Sequence, residues 1–414
     1  MNEAKQKFRL TGLERAWILY DVGNSAFVLL VATLIPIFFN ALAEGGGLSS
    51  VEYLAYWGYA ASAVTVITAV LSPILGTLAD TRNFKKPIFT FCVAVGVIGC
   101  CAMGMASTWL PFLLIFIFAK VGFSGSLVFY DSMLSDVTVP DRMDEVSSKG
   151  YAWGYIGSCV PFVVCLALVL GAGSVGISQM KALNLALFIT AAWWLVTTLP
   201  LLRQYKQVHF VEVREHAIRQ SFARIGHTLR HLKEDRQVFW FLLAFFCYID
   251  GVYTIIDMAT AYGTALGLDT TGLLLALLVT QIVAFPSALV FGRLSGQYPS
   301  GTLIPVCIAA YAGIALFAFF LKHQWQFWVL AVVVGMFQGG IQALSRSHFA
   351  KIIPPEKSGE YFGLFDICGK GASFLGTMIV SVGSQLTGSA NVGVGSLIVL
   401  FIVGFVLFRV SDQK

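Results

Sequence analysis

The chain has 414 residues, of which 57% are hydrophobic and only 12% charged, and its mean hydropathy is +0.79. Globular proteins carry roughly 25% charged residues, so this composition leaves too few polar groups to cover a water-exposed surface and excludes a soluble fold. The net charge of +5 falls in loops, which withdraws it as an argument for nucleic acid, and the unbroken apolar runs exclude a β-barrel, whose strands would alternate.

In chain order, apolar runs of bilayer-crossing length predict twelve helices, at 16–42, 53–79, 87–107, 110–135, 149–171, 181–202, 238–264, 271–294, 302–321, 325–347, 360–386 and 391–409. The first contains Asp21 and lacks a small-residue cleavage site, so it reads as a retained span and not a signal peptide. The loops that would share a side with both termini hold 23 of the 27 Lys+Arg, and the opposite side holds Lys181 and Lys322. That asymmetry predicts cytoplasmic termini in an inner or plasma membrane. The eight cysteines (Cys92, Cys100, Cys101, Cys159, Cys165, Cys247, Cys307, Cys368) lie inside apolar runs without metal-ligand or disulfide spacing and read as packing residues. No metal or cofactor is expected, and no GxxxxGK[ST] loop supports ATP-driven chemistry.

One long basic connection, 203–236, separates a first bundle, 1–202, from a second, 237–414. Its apolar residues Val211, Ile218, Phe222, Ile225, Leu229 and Leu232 recur at helical spacing, which fits either a helix lying on anionic lipid or a plain tether. The bundles resemble each other: "LYDVGNSA" matches "CYIDGVYT", and "VPDRMDEVSSKGYAWGYIG" matches "IPPEKSGEYFGLFDICGKG". Six spans, a linker and six related spans predict a duplicated transporter with its site between the halves.

The loop "GTLADTRNFKK" resembles the signature of the major facilitator superfamily, with Gly76 for close packing, Asp80 at a helix end, and Arg82, Lys85 and Lys86 following. Asn83 replaces the usual Gly there and tolerates positive φ better than most residues. "WILYDVGNSAF", "FYDSMLSD", "YAWGYIG", "YIDGVYTI" and "GGIQALSRSHFAKIIPPEKSGEYFGLFDICGKGASFLG" resemble the vacuole-effluxer-like branch of that superfamily. The resemblance implies a twelve-helix, all-α integral membrane fold in two pseudo-symmetric six-helix bundles, alternating access, and amino-acid efflux as in its fungal member. Lys120 and Asp131 depart from the neutral residues expected there, and Arg346, within the longest stretch, joins the gating set.

Ionisable groups inside a bilayer are functional candidates by default. Helix rise puts Lys120 and Lys370, one from each half, about 15 Å deep, where they could hold a carboxylate or phosphate. Asp366, one turn before Lys370, can neutralise it; Lys120 needs a partner from another helix, with Asp21 a candidate, or a substrate. Asp250, Asp257 and Asp21 are proton-carrier candidates, Asp250 foremost, and exposure at the outer mouth is the alternative reading of Asp257. Asn24, Gln281, Gln338 and Gln342 could supply neutral hydrogen bonds to a ligand or to neighbouring helices.

The expectation is a monomeric, proton-coupled symporter or antiporter of a small anionic or zwitterionic solute, with membrane lipid around it. The alternatives are a lipid or amphiphilic drug exporter and a non-transporting receptor or scaffold.

Overall fold

The computed structural model describes residues 9–212 and 232–412, together with Thr228 and Arg230. Among the described residues twelve long helical segments follow one another: α1 (Gly12–Gly45), α2 (Ser50–Ala79), α3 (Lys85–Met103), α4 (Trp109–Ser132), α5 (Pro140–Leu170) and α6 (Gln179–Gln204) form the first bundle. The second contains α7 (Arg236–Ala265), α8 (Thr270–Leu294), α9 (Ser300–Phe319), α10 (Gln324–Ile352), α11 (Ser358–Thr387) and α12 (Ala390–Asp412). Among the described residues, eleven of these are long and apolar enough to cross a membrane. The remaining one, α11, includes residues 370–374, whose side chains lie outside the described residues.

Local chemistry sets the ends. Thr11 with Glu14 and Ser49 with Glu52 close capping boxes at the starts of α1 and α2, and Pro140 opens α5, where its missing N–H is harmless. The single helix expected at 16–42 is interrupted at Thr33. Pro36 lacks the N–H that would bond to the Ala32 carbonyl, so the ladder stops there. Two helices overrun their expected apolar limits, α5 starting at Pro140 instead of 149 and α10 ending at Ile352 instead of 347. Both extensions are on the face that carries the termini, called here the terminal face.

The packing is pseudo-symmetric. Within the bundles α1 lies on α5 and α6, and its counterpart α7 lies on α11 and α12. Between them the second helix of each meets the fifth of the other: α2 packs on α11, and α8 on α5. The α2–α11 seam is backbone on backbone, since a Cβ on Gly76 would stand 2.2 Å from the Gly359 carbonyl oxygen and one on Gly363 would stand 2.7 Å from Pro73 Cα. Gly150 and Gly154 similarly admit α1 to α5, and Gly335 and Gly339 admit α8 to α10.

The start of the connection is not helical. Residues 205–212 run extended along the terminal face, where Val211 bridges to Thr81 in a parallel pairing. Val211 therefore leaves the helical set expected of it, and Leu232 lies in a turn. Ile218, Phe222, Ile225 and Leu229 lie outside the described residues, as does the interfacial helix they suggested.

Candidate functional site

A charged cluster joins the two bundles toward the terminal face. Arg346 of α10 is 2% exposed, and its Nη1 donates to Asp131 Oδ1 of α4 at 3.0 Å and lies 3.7 Å from Asp21 Oδ2 of α1. Its Nε and Nη2 donate to the hydroxyl and the carbonyl of Ser147 of α5, at 2.9 and 3.0 Å. Trp17, Tyr130 and Tyr151 place their rings 4.6, 5.3 and 4.3 Å from the guanidinium carbon. The planar fork and π faces of Arg suit this cage; a lysine ammonium would reach one partner at a time. The Tyr130 hydroxyl donates to Asp21 Oδ2, and Asn24 lies beside the same carboxylate. Gly150 makes room for all of this: a Cβ there would meet Trp17, Arg346 and Asp21.

Eleven residues further along α4, about 16 Å by helix rise, Lys120 stands over the rings of Phe123 and Phe27, at 4.7 and 5.9 Å. Its charge acts on the exposed Asp257 of α7, so this pair too spans both bundles. The partner expected for Lys120, Asp21, goes to Arg346 and Tyr130 instead. Between these two layers Asp366 accepts from Ser72 of α2 at 2.7 Å, and Tyr253 lies within electrostatic reach of Asp131, Asp257 and Asp366. The expected Asp366–Lys370 pair cannot be followed, because the Lys370 side chain lies outside the described residues.

Other expected residues are placed elsewhere. Asp250 is sealed inside the second bundle, where its Oδ1 accepts the Gly376 N–H at 2.8 Å and the Thr254 hydroxyl at 3.4 Å. Gln281 and Gln338 line an apolar cavity of that bundle with Thr254, Tyr262, Thr280 and Val334. Gln342 Oε1 instead accepts from Tyr155 of the first bundle at 3.4 Å.

At the terminal face the seam is sealed by charge. Asp80, directly after α2, accepts the N–H groups of Gly359 and Glu360 at 2.7 and 2.8 Å, at the positive end of α11. Burial pushes its carboxyl up to about 7 despite Lys85 and these two donors. Lys85, itself fully buried, lies 3.7 Å from both Asp80 and Asp136 and donates to Ser358 Oγ at 2.8 Å. Asn83 adopts φ 66°, so the turn that brings Lys85 back survives the missing glycine. Arg82 pairs with Glu212 on the surface, and Lys86 is half-buried. Asp144 of α5 takes Lys351 and Ser347 of α10, at 2.7 and 2.6 Å. Sequence reasoning missed Ser147, Asp136, Asp144 and Lys351; three of these lie in or beside the repeated stretch "VPDRMDEVSSKGYAWGYIG", and charged or hydroxyl residues recurring there were the available signal.

The two pseudo-symmetric bundles meeting over buried charge define a transporter of the major facilitator superfamily. The human organic anion transporter MFSD10 superposes with a TM-score of 0.71 at 14% identity, covering 96% of this chain and 98% of that one. FucP in the outward conformation superposes with 0.72 at 17% identity, covering 97% and 98%. A family model, "Vacuole effluxer Atg22 like", matches residues 13–141 and 135–414, and the chain belongs to that family. It is 42% identical to the "Uncharacterized MFS-type transporter YxiO" of Bacillus subtilis (strain 168) over 98% of this chain and 96% of that protein. Autophagy-related protein 22 of Coccidioides immitis is 25% identical over 65% of this chain, which spans about half (51%) of that longer relative.

Proposed function

We propose that this transporter carries a small anionic or zwitterionic solute by alternating access coupled to a proton, and that the terminal face is cytoplasmic. The observation that carries the reading is the Arg346–Asp131–Asp21 cluster, which supplies a cation for a substrate carboxylate and two carboxylates able to hold a proton. With the terminal seam closed by Asp80, Lys85 and Asp144, the conformation corresponds to an outward-facing one, as in the FucP structure. A proton arriving at Asp131 would remove the charge that holds Arg346 and loosen the join between α4 and α10. A substrate carboxylate would compete for the same guanidinium. Lys120 and Asp257 sit further from the terminal face, where opposite charges on opposite bundles suit a zwitterion. Asp250, the strongest proton-carrier candidate in the sequence, is less suited because its carboxylate is enclosed within one bundle.

The experiment is solute uptake into proteoliposomes under an imposed pH gradient, preceded by a thermal-shift screen of amino acids and organic acids. Accumulation that follows the proton gradient and collapses in Asp131→Asn supports the reading. Accumulation indifferent to that gradient would reject proton coupling. The apolar cavity around Gln281 and Gln338 favours a second reading, export of an amphiphile, which stabilisation by alkyl-chain compounds and not by amino or organic acids would support.

A further inference from the structure

The connection between the bundles does more than join them. Residues 205–212 are stitched onto the seam that the charged loop closes. The Val211 N–H donates to the Asp80 carbonyl at 2.8 Å, and Gln207 donates to the Ala79 carbonyl at 3.1 Å while accepting the Lys85 N–H at 3.4 Å. Asp136 is held more firmly still. Its Oδ2 accepts the Tyr205 hydroxyl at 2.5 Å, and its Oδ1 faces the His209 N–H at 2.9 Å and the His209 ring Nδ1 at 3.0 Å.

Asp136 is buried and, among the described residues, makes no direct bond to the second bundle, yet it lies beside Lys85, whose ammonium reaches Ser358 across the seam. A tether would not need two side chains, those of Tyr205 and His209, turned inward onto one carboxylate. We propose that residues 205–212 form a latch in which Tyr205 and His209 are positioning residues for Asp136 and Lys85, and that a proton on His209 tightens the closed seam.

The groups facing His209 are Asp136 from the short helix Leu134–Val137, Glu356 from the turn before α11 and Lys85 from the start of α3. The two carboxylates favour the imidazolium and Lys85 opposes it. The balance raises the His209 pKa, chiefly through its bond to Asp136, whereas burial lowers it. Asp136 itself is pushed up by burial but held below its ordinary range by Lys85, His209 and Tyr205, so it stays charged beside the ring. His209 is 34% exposed on its side chain, so protons from the adjoining water can reach it. A group whose pKa is higher in the closed seam than in the open one favours closure below its ordinary pKa, and that advantage fades as pH rises through the raised value.

The inference rests on the reading of the terminal seam as a gate, and one measurement separates the two. Nitroxide labels at the exposed Asp141 and Gln297, one on each bundle, report seam opening as a distance in the full-length protein in vesicles. In the unaltered chain the open fraction should rise about twofold or more from about pH 6 to about pH 8. His209→Gln should raise the open fraction at about pH 6 and remove the rise above about pH 7, where Asp80 no longer contributes; His209→Lys should keep the seam closed and equally level there, and Tyr205→Phe should lie between. A seam that opens in Asp80→Ala but keeps the same pH response in His209→Gln overturns the latch and leaves the gate standing. Equal opening in His209→Lys and His209→Gln also overturns it, since the charge would then be irrelevant. A distance that moves in none of the variants, Asp80→Ala included, overturns gate and latch together.

Discussion

Arg346 of α10 and Asp131 of α4 lie 3.0 Å apart, nitrogen to oxygen, and belong to different bundles. One ion pair therefore serves both the charge balance of the buried layer and the contact that must break when the bundles rock. Removing a single partner from such a pair is costly, because the other charge stays buried.

Arg346→Ala should accordingly destabilise the protein by about 3–5 kcal/mol, leaving Asp21 and Asp131 without their cation. Arg346→Lys should recover little of that, since Ser147 is bridged by two guanidinium nitrogens and three rings cover its faces. Asp131→Asn should be milder, because Asp21 still faces the guanidinium. Thermal unfolding in detergent gives the order; a Lys variant as stable as the parent would contradict the fork-and-cage account.

Gly76→Ala should leave the bundles folded but forbid the closed terminal seam, because its new methyl would fall 2.2 Å from the Gly359 carbonyl oxygen. Overpacking of this kind costs about 1–3 kcal/mol, charged here to one conformation only. Transport should fall while thermal stability stays near the parent's, and labels across the seam should report opening. Normal transport would show that α2 and α11 can part slightly without opening the gate.

Asp80 gives the seam a second pH dependence. Its carboxyl titrates near 7 in the closed seam against an ordinary value of 3.8, so the closed form takes up the proton more readily than a hydrated, open one. The sign follows from linkage. The contribution to closure is complete below the ordinary value, is lost as pH rises through about 7, and changes nothing above that. Closure measured from about pH 4.5 to about pH 7 should weaken in the parent and stay level in Asp80→Asn over the same span. Parallel curves for the two proteins would place the titrating group elsewhere.

Lys120 is half-buried and Asp257 exposed, and ion pairs open to water on one side contribute roughly 1 kcal/mol or less. Lys120→Gln and Asp257→Asn should therefore barely move the melting temperature but should each lower solute uptake several-fold. Equal uptake losses that add in the double variant would mean the two residues act apart; a double variant no worse than either single one indicates a shared ligand or contact.

Composition and run length alone determined the membrane and the existence of the twelve helices, though not every boundary, since α5 begins nine residues before its apolar run and α10 ends five after its own. Those properties follow from solvent and from repetition along the chain. The spacing in "GTLADTRNFKK" also placed Asp80 and Lys85 in one short loop, since only four residues separate them. Partnership between bundles was decided by the tertiary structure. Arg346 stands 215 residues from Asp131, and no helical period relates them. Tyr20 and Tyr248 occupy matching positions in the repeat, each with its hydroxyl on a serine, but Asp250 stands one position beyond the counterpart of Asp21; one carboxylate faces the other bundle through Tyr130 and Arg346 while the other turns inward to the Gly376 N–H. Duplication copies a sequence position, but which neighbour fills the space beside it depends on how the second and fifth helices cross between the halves. The connection shows the same limit: its apolar spacing fitted either a helix or a tether from Val211 onward, and the Asp80 carbonyl holds the Val211 N–H in a bridge that a helix could not make.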